Sequence, residues 1–214
     1  KILSSDKTQL SCGQSMQIYA NTNDFIAYYP STYYNLSCSL IAKPQNLDMQ
    51  TDYDYFLSRK SPLEQDIIDL AYATSSKVLA RVGAKPLSSQ SCRVLFAPAA
   101  AKTLLRIFTS AISGSQIYRK ASFLADKINQ QVFATHVNIV DDPTILMAMG
   151  SSYCDAEGVK TRKRNLIENG RLTGYLLGSY TARQLGMETT GNAGGYHNIV
   201  CQGDGGNEED MLSH

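Results

Sequence analysis

Residues 158–178 read GVKTRKRNLIENGRLTGYLLG. Two β-prone runs flank Asn169-Gly170, a dipeptide that favours a type I′ turn because both central positions need positive φ. The stretch predicts an antiparallel hairpin. Lys160, Arg162, Lys163 and Arg164 fall on its expected first strand. A solvated basic face is the simpler account of them, and a surface for acidic partners or phosphate is the alternative.

Working upstream, CRVLFA (92–97) reads as a hydrophobic strand. A helix follows from Pro98 to Ser113, with Leu104, Leu105, Phe108 and Ile112 on one side and Gly114 at its end. Before it, AKPLSSQS (84–91) has the proline and serine content of a linker. The boundary is placed there, giving a mixed module over 1–85 and a β-rich one over 86–214. Ser61 as N-cap, Pro62 at the first helical position and Glu64 three residues after the cap open another predicted helix. Its buried face would carry Leu63, Ile67, Ile68, Ala71, Val78, Leu79 and Val82, and Gly83 with Pro86 would stop it. From Met16 to Phe56 the runs MQIYA, DFIAYY, YYNLSCSLIA and MQTDYDYF predict an antiparallel sheet. Its tyrosines, Tyr28, Tyr29, Tyr33, Tyr34, Tyr53 and Tyr55, fit rings packed across strands better than an aromatic binding face.

Downstream, TTGNAGGYHN (189–198) and QGDGGNEED (202–210) read as loops and match neither a phosphate-binding loop nor a dinucleotide fingerprint. No fixed-period repeat occurs. The expected fold class is α+β: antiparallel sheets with a few packed helices in two modules, the second an incomplete β-rich domain.

Twenty basic against nineteen acidic residues in 214 leave a net charge of +1, which argues against direct nucleic-acid binding. The apolar stretches fall short of the roughly 20 residues a membrane span needs. Five cysteines, Cys12, Cys38, Cys92, Cys154 and Cys201, lack metal or disulfide spacing and read as reduced, buried thiols of a cytoplasmic protein. No signal-like start is read, and the opening Lys1 in place of methionine suggests a processed chain, a fragment or a natural protein that is longer.

Only three histidines are present, His136, His197 and His214, and none sits in an HExxH-like spacing. A helix-borne zinc site needs two imidazoles on one face and a carboxylate beside them to act on the metal-bound water. Cys154 or Cys201 with His197 would be a thiol nucleophile and base only if the fold joined them. Asp155 and Glu157, beside Gly158, are an acid/base pair in principle, but binding of backbone or a cation is the stronger reading.

SYCDAEGVKTRKRNLIENGRLTGYLLGSYTARQLGMETTGNAGG (152–195) closely resembles the PmbA (TldE) branch of the TldD/PmbA family. The likeness starts at MQTDYDYFLSR (49–59), runs through RVLFAPAAAKTLLRIFTSAISGSQIYRKASFL (93–124) and ends near DMLSH (210–214). It implies the middle domain and the first part of the C-terminal domain of a longer protein. In the TldD branch the helix after RVLFA carries two zinc-binding histidines around a catalytic glutamate. Here those positions fall at Leu105, Arg106 and Ser110, which can take neither role. The resemblance therefore implies no catalytic or metal residue and no cofactor in this chain. It implies a non-catalytic subunit of a cytoplasmic protease whose zinc lies in a TldD-type partner and whose substrates are unfolded peptides. Family substrates include a microcin precursor and an antitoxin, and the older description as a modulator of DNA gyrase is taken as indirect. Tyr180, Arg183, Asn192, Gly194 and His197 are the expected peptide or subunit contacts. A stand-alone peptide-binding adaptor is the alternative, and an independent Cys/His hydrolase ranks last.

Overall fold

The computed structural model describes residues 2–43, 48–203, 205 and 211. Most of the 202–210 loop and of the DMLSH end lies outside the described residues, as do Pro44 and Asn46 between two of the predicted strands. The chain divides into two compact units, 1–18 with 28–91 and 19–27 with 92–214. Both carry antiparallel sheets with few helices, so the class is α+β. Among the described residues no helix is long and apolar enough to cross a membrane.

The first unit holds a three-stranded sheet in the order β1 (Ile2–Ala20), β2 (Ile26–Ala42), β3 (Gln50–Ser58). Three long strands replace the four short runs expected from the sequence. The polar stretch 2–15, which carries no local strand signal, becomes the first part of β1 because β2 supplies its ladder. DFIAYY and YYNLSCSLIA fuse into β2 across Pro30. β3 pairs with β2 only from Tyr34 to Ala42, so no bond from β3 is missed where proline lacks its N–H.

Leu36, Cys38 and Ala42 of β2 are buried, as are Leu70, Thr74 and Val78 of α1 (Glu64–Ala80). The helix starts later than expected. The cap is made at Leu63 rather than Ser61, because the Asp66 carboxylate three residues on accepts from the Leu63 N–H at 2.8 Å. The buried stripe also differs from the apolar pattern: Leu63, Ile67, Ile68 and Leu79 are exposed, while Thr74 is fully buried. Thr74 is tolerated because its hydroxyl donates to the Leu70 carbonyl at 2.7 Å. Of the tyrosines, Tyr28, Tyr33, Tyr53 and Tyr55 are exposed. Tyr53 and Tyr55 alternate with the β3 residues nearer the helix and stand opposite Ser39 and Ser37.

In the second unit α2 (Pro98–Ala111) and α3 (Gly114–Tyr118) precede a four-stranded sheet in the order β6-β5-β4-β7. These are β4 (Asn138–Asp141), β5 (Arg164–Glu168), β6 (Arg171–Leu172) and β7 (Ile199–Gln202), with α4 (Ser179–Leu185) before the last. Residues 92–97 are exposed and irregular rather than a strand, since no strand among the described residues pairs with them. The helix expected to run to Ser113 stops at Ala111, and Gly114 begins α3 instead of ending α2. Leu104 is exposed, whereas Phe108 and Ile112 join Ile139, Leu166, Ile167, Leu172 and Leu177 in the core.

The hairpin forms as expected. Asn169 and Gly170 have φ of +48° and +75°, and β5 pairs with β6 through Ile167–Leu172 and Glu168–Arg171. The Gly170 N–H donates to the Val137 carbonyl at 2.9 Å, and its own carbonyl accepts from Val132 and Phe133. A β-carbon there would run into the Gln131 side chain and the carbonyls of Phe133 and Ala134. The basic cluster is not one strand face, because Arg164 alone belongs to β5. Lys163 pairs with Asp142 at 3.3 Å, and Arg164 turns inward.

Candidate functional site

Helix α2 sorts its side chains by period. Phe108, Ala111 and Ile112 enter the core and Leu105 packs partly against it, while Arg106 and Ser110, four apart, share the outer face. That face borders a cleft of about 450 Å3 within the second unit. Arg106, Ser110 and Ser113 line it from the α2–α3 side, and Glu157, Thr181 and Gly194 from the other elements. Arg106 and Ser110 also line a shallower hollow with Ile107, Gln116 and Phe123.

The wall opposite α2 is the glycine-rich loop at 191–195, held by buried polar groups. Asp141, 1% exposed at the end of β4, accepts from the His197 backbone N–H at 2.8 Å through Oδ1. Its Oδ2 accepts from Asn192 Nδ2 at 2.8 Å and lies 3.1 Å from His197 Nδ1. Asn192 is 5% exposed. Its Oδ1 accepts from Arg164 Nη1 at 3.1 Å and from the Thr190 hydroxyl at 2.8 Å, and Nδ2 also donates to the Gly195 carbonyl at 3.1 Å. Burial, with the like charge of Arg162, pushes the Arg164 guanidinium below its usual pKa, and Asp141 opposes that shift. Gly191 turns the loop at φ +71°, where an added β-carbon would sit 2.9 Å from the Lys160 carbonyl oxygen.

Asp155 and Glu157 do bind backbone. Asp155 Oδ1 accepts from the N–H groups of Glu157 and Val159, and Oδ2 from that of Ala193, all at 2.9 Å. Glu157 accepts from the Ser179 N–H at 2.8 Å, and hydrogen bonds from Ser179 hold its carboxyl below the usual range. Each carboxylate thus pins one side of the cleft to another, a role that spacing alone left open.

Of the residues expected to contact peptide or partner, Asn192 and Gly194 line the cleft. His197 lies behind the loop, paired with Asp141. Tyr180 is exposed on α4, edge-to-face with Tyr118 at 5.9 Å between ring centres, and Arg183 is exposed on the same helix. Asp141 and Arg164, which organise the loop, were missed as site residues; a basic residue on the hairpin strand was the only local signal.

Leu105, Arg106 and Ser110 offer neither imidazole nor carboxylate, so they do not fit a zinc ion. Among the described residues no three His, Cys, Asp or Glu side chains are grouped to hold a metal. The cysteines are not uniformly buried: Cys38 and Cys154 are, whereas Cys12, Cys92 and Cys201 are exposed. Burial, then the charge of Asp155, raises the Cys154 thiol pKa, opposite to what an activated nucleophile requires.

Residues 1–82 match the PmbA/TldA metallopeptidase central domain and residues 89–214 the C-terminal domain of the same family. The Metalloprotease PmbA homolog of Haemophilus influenzae is 35% identical over 202 residues, 94% of this chain and 45% of its own length. Metalloprotease PmbA of Escherichia coli O157:H7 is 35% identical over 92% of this chain and 44% of its own. The chain therefore spans less than half the length of these curated relatives. A proposed modulator of DNA gyrase from Bacteroides thetaiotaomicron superposes with a TM-score of 0.81 at 25% identity, over 90% of this chain and 44% of that one. TldE from Thermococcus kodakarensis shares the fold, with a TM-score of 0.77 at 21% identity over 95% of this chain and 48% of its own. With both domains matched and PmbA relatives 35% identical over more than nine-tenths of its length, the chain belongs to the PmbA/TldD metallopeptidase family, on its PmbA (TldE) side.

Proposed function

We propose that this chain is part of the non-catalytic, TldE-type subunit of a metalloprotease, working with a metal-bearing TldD-type partner on unfolded peptides. One observation supports the reading: α2 puts Phe108 and Ile112 into the core and borders the cleft, yet Leu105, Arg106 and Ser110, where the family resemblance would put the zinc ligands and base, offer neither imidazole nor carboxylate. A scaffold kept without its ligands suits support and assembly rather than hydrolysis. The raised thiol pKa of buried Cys154 gives no support to a thiol hydrolase in its place. The cytoplasm, where such a protease would meet unfolded peptides, belongs to the same proposal.

The test uses the full-length protein, a TldD-type partner from the same organism and an unfolded peptide. Cleavage is followed with each protein alone, with both, and with a zinc chelator. Cleavage that needs the mixture and stops on chelation is the expected result. Cleavage by this protein alone that survives chelation defeats the reading, and peptide binding with no gain from any partner leaves the adaptor alternative.

A further inference from the structure

From the cleft beside α2 we infer a carboxylate-binding site, with Arg106 as its anchor and Ser110 as its second donor, which takes a short peptide segment through a C-terminal or side-chain carboxylate. Arg106 is exposed in the cleft wall, and among the described residues no acidic side chain is paired with it. Ser110 follows one helical turn later on the same face, and residues at that spacing stand about 5–6 Å apart at their β-carbons. A guanidinium fork and a hydroxyl so placed can share the two oxygens of one carboxylate.

The surroundings select the class of ligand. Among the described residues Glu157 is the one carboxylate lining the cleft; it accepts from the Ser179 N–H and forms no ion pair with Arg106. Its negative charge repels a dianion more than a monoanion, so the site suits a carboxylate better than a phosphate. Leu176 and Tyr196 add apolar wall beside the donors, as a peptide's main chain and small side chains would need. The volume, about 450 Å3, lies in the range of roughly 300–1,000 Å3 usual for small-ligand pockets, which suits a few residues rather than a folded domain. The 191–195 loop, which lines the same cleft, is fixed by the bonds of Asn192 to Asp141 and Gly195, so that part of the site is formed before the ligand arrives.

The site stands on this geometry and not on the auxiliary-subunit reading, because binding is measured with no partner present. Full-length protein is immobilised for surface plasmon resonance and titrated with N-acetylated tetra-alanine as the free acid, as its C-terminal amide, and as the amide carrying one Asp or one Asn. Acid-bearing peptides are expected to bind about ten- to a hundredfold more tightly than their neutral counterparts, the range of a charge-assisted hydrogen-bond pair. Arg106→Ala removes that preference, Arg106→Lys keeps part of it, and Ser110→Ala weakens it severalfold. Arg106 is exposed on a helix surface, so these variants fold, which circular dichroism checks. Preference for the free acid alone or for the Asp peptide alone identifies the source of the carboxylate. Equal binding of acid and neutral peptides, a preference that survives Arg106→Ala, or displacement by inorganic phosphate more readily than by acetate each overturns the proposal.

Discussion

Asn192 and Asp141, 51 positions apart, meet through a 2.8 Å hydrogen bond from the amide nitrogen to a carboxylate oxygen. That contact ties the glycine-rich loop to the end of β4 in a place from which water is largely excluded. Buried polar groups of this kind are inexpensive while every partner is present and costly once one is removed.

Asn192→Ala leaves Arg164 and Asp141 each short of a partner and leaves the Thr190 hydroxyl only its bonds with Leu177. A loss of about 2–3 kcal/mol is expected, the scale of unsatisfied buried groups beside charges. Urea unfolding of the full-length protein with and without the substitution checks it, and a change within experimental error would mean that the loop is held by its backbone alone.

Gly170→Ala puts a β-carbon into two carbonyls at a left-handed position. The expected cost is about 1–3 kcal/mol, read as a lowered Tm. Asn169→Gly, at the exposed partner position of the same turn, should stay within about 0.5 kcal/mol of the parent.

Asp142 gives a pH-dependent contribution to stability. The Thr144 hydroxyl and N–H donate to its Oδ1 at 2.6 and 2.9 Å, and Lys163 lies 3.3 Å from Oδ2, so its carboxyl titrates below the usual range. A carboxylate whose folded pKa is depressed stabilises the fold above its unfolded pKa, and that stability disappears as pH falls through the folded value. Asp142→Asn should cost about 1–2 kcal/mol at pH 7, the scale of hydrogen bonds to a charged group. The gap to the parent should close as pH drops below the ordinary carboxylate range of about 4. Unfolding free energies measured from pH 7 to pH 3 read this directly, and a constant gap would contradict it.

Thiol accessibility is also specific. Iodoacetamide should label the exposed Cys12 and Cys92 in the native protein and reach buried Cys154 only after unfolding. Mass spectrometry of the labelled peptides follows the order. Native labelling of Cys154 ahead of Cys12 would reverse the account of its environment given by burial and Asp155.

Sequence and structure agree where the signal is local. Asn169-Gly170 announced its own turn, since the positive φ it needs is a property of two neighbouring residues. The helical period of 98–113 placed Phe108 and Ile112 inward, as found, though Leu104 of the same set is exposed. Errors arose where a distant partner decided. Residues 2–15 are a strand because β2 lies beside them, while the apolar CRVLFA is not one because the described residues give it no neighbour. Thr74 is buried against the apolar pattern because its face of α1 packs on the sheet, where its hydroxyl stays satisfied by the Leu70 carbonyl.

By itself, the sequence determined the α+β class, the hairpin and the family resemblance, because each is carried by residue types at short, fixed spacings. Tertiary structure alone decided that Asp141, Asn192, Arg164 and His197 form one hydrogen-bonded network at the loop, and that Arg106 lines the same cleft as that loop. A charged side chain shows its chemistry in one letter, but whether it is buried, paired or free depends on atoms that the fold brings from elsewhere in the chain.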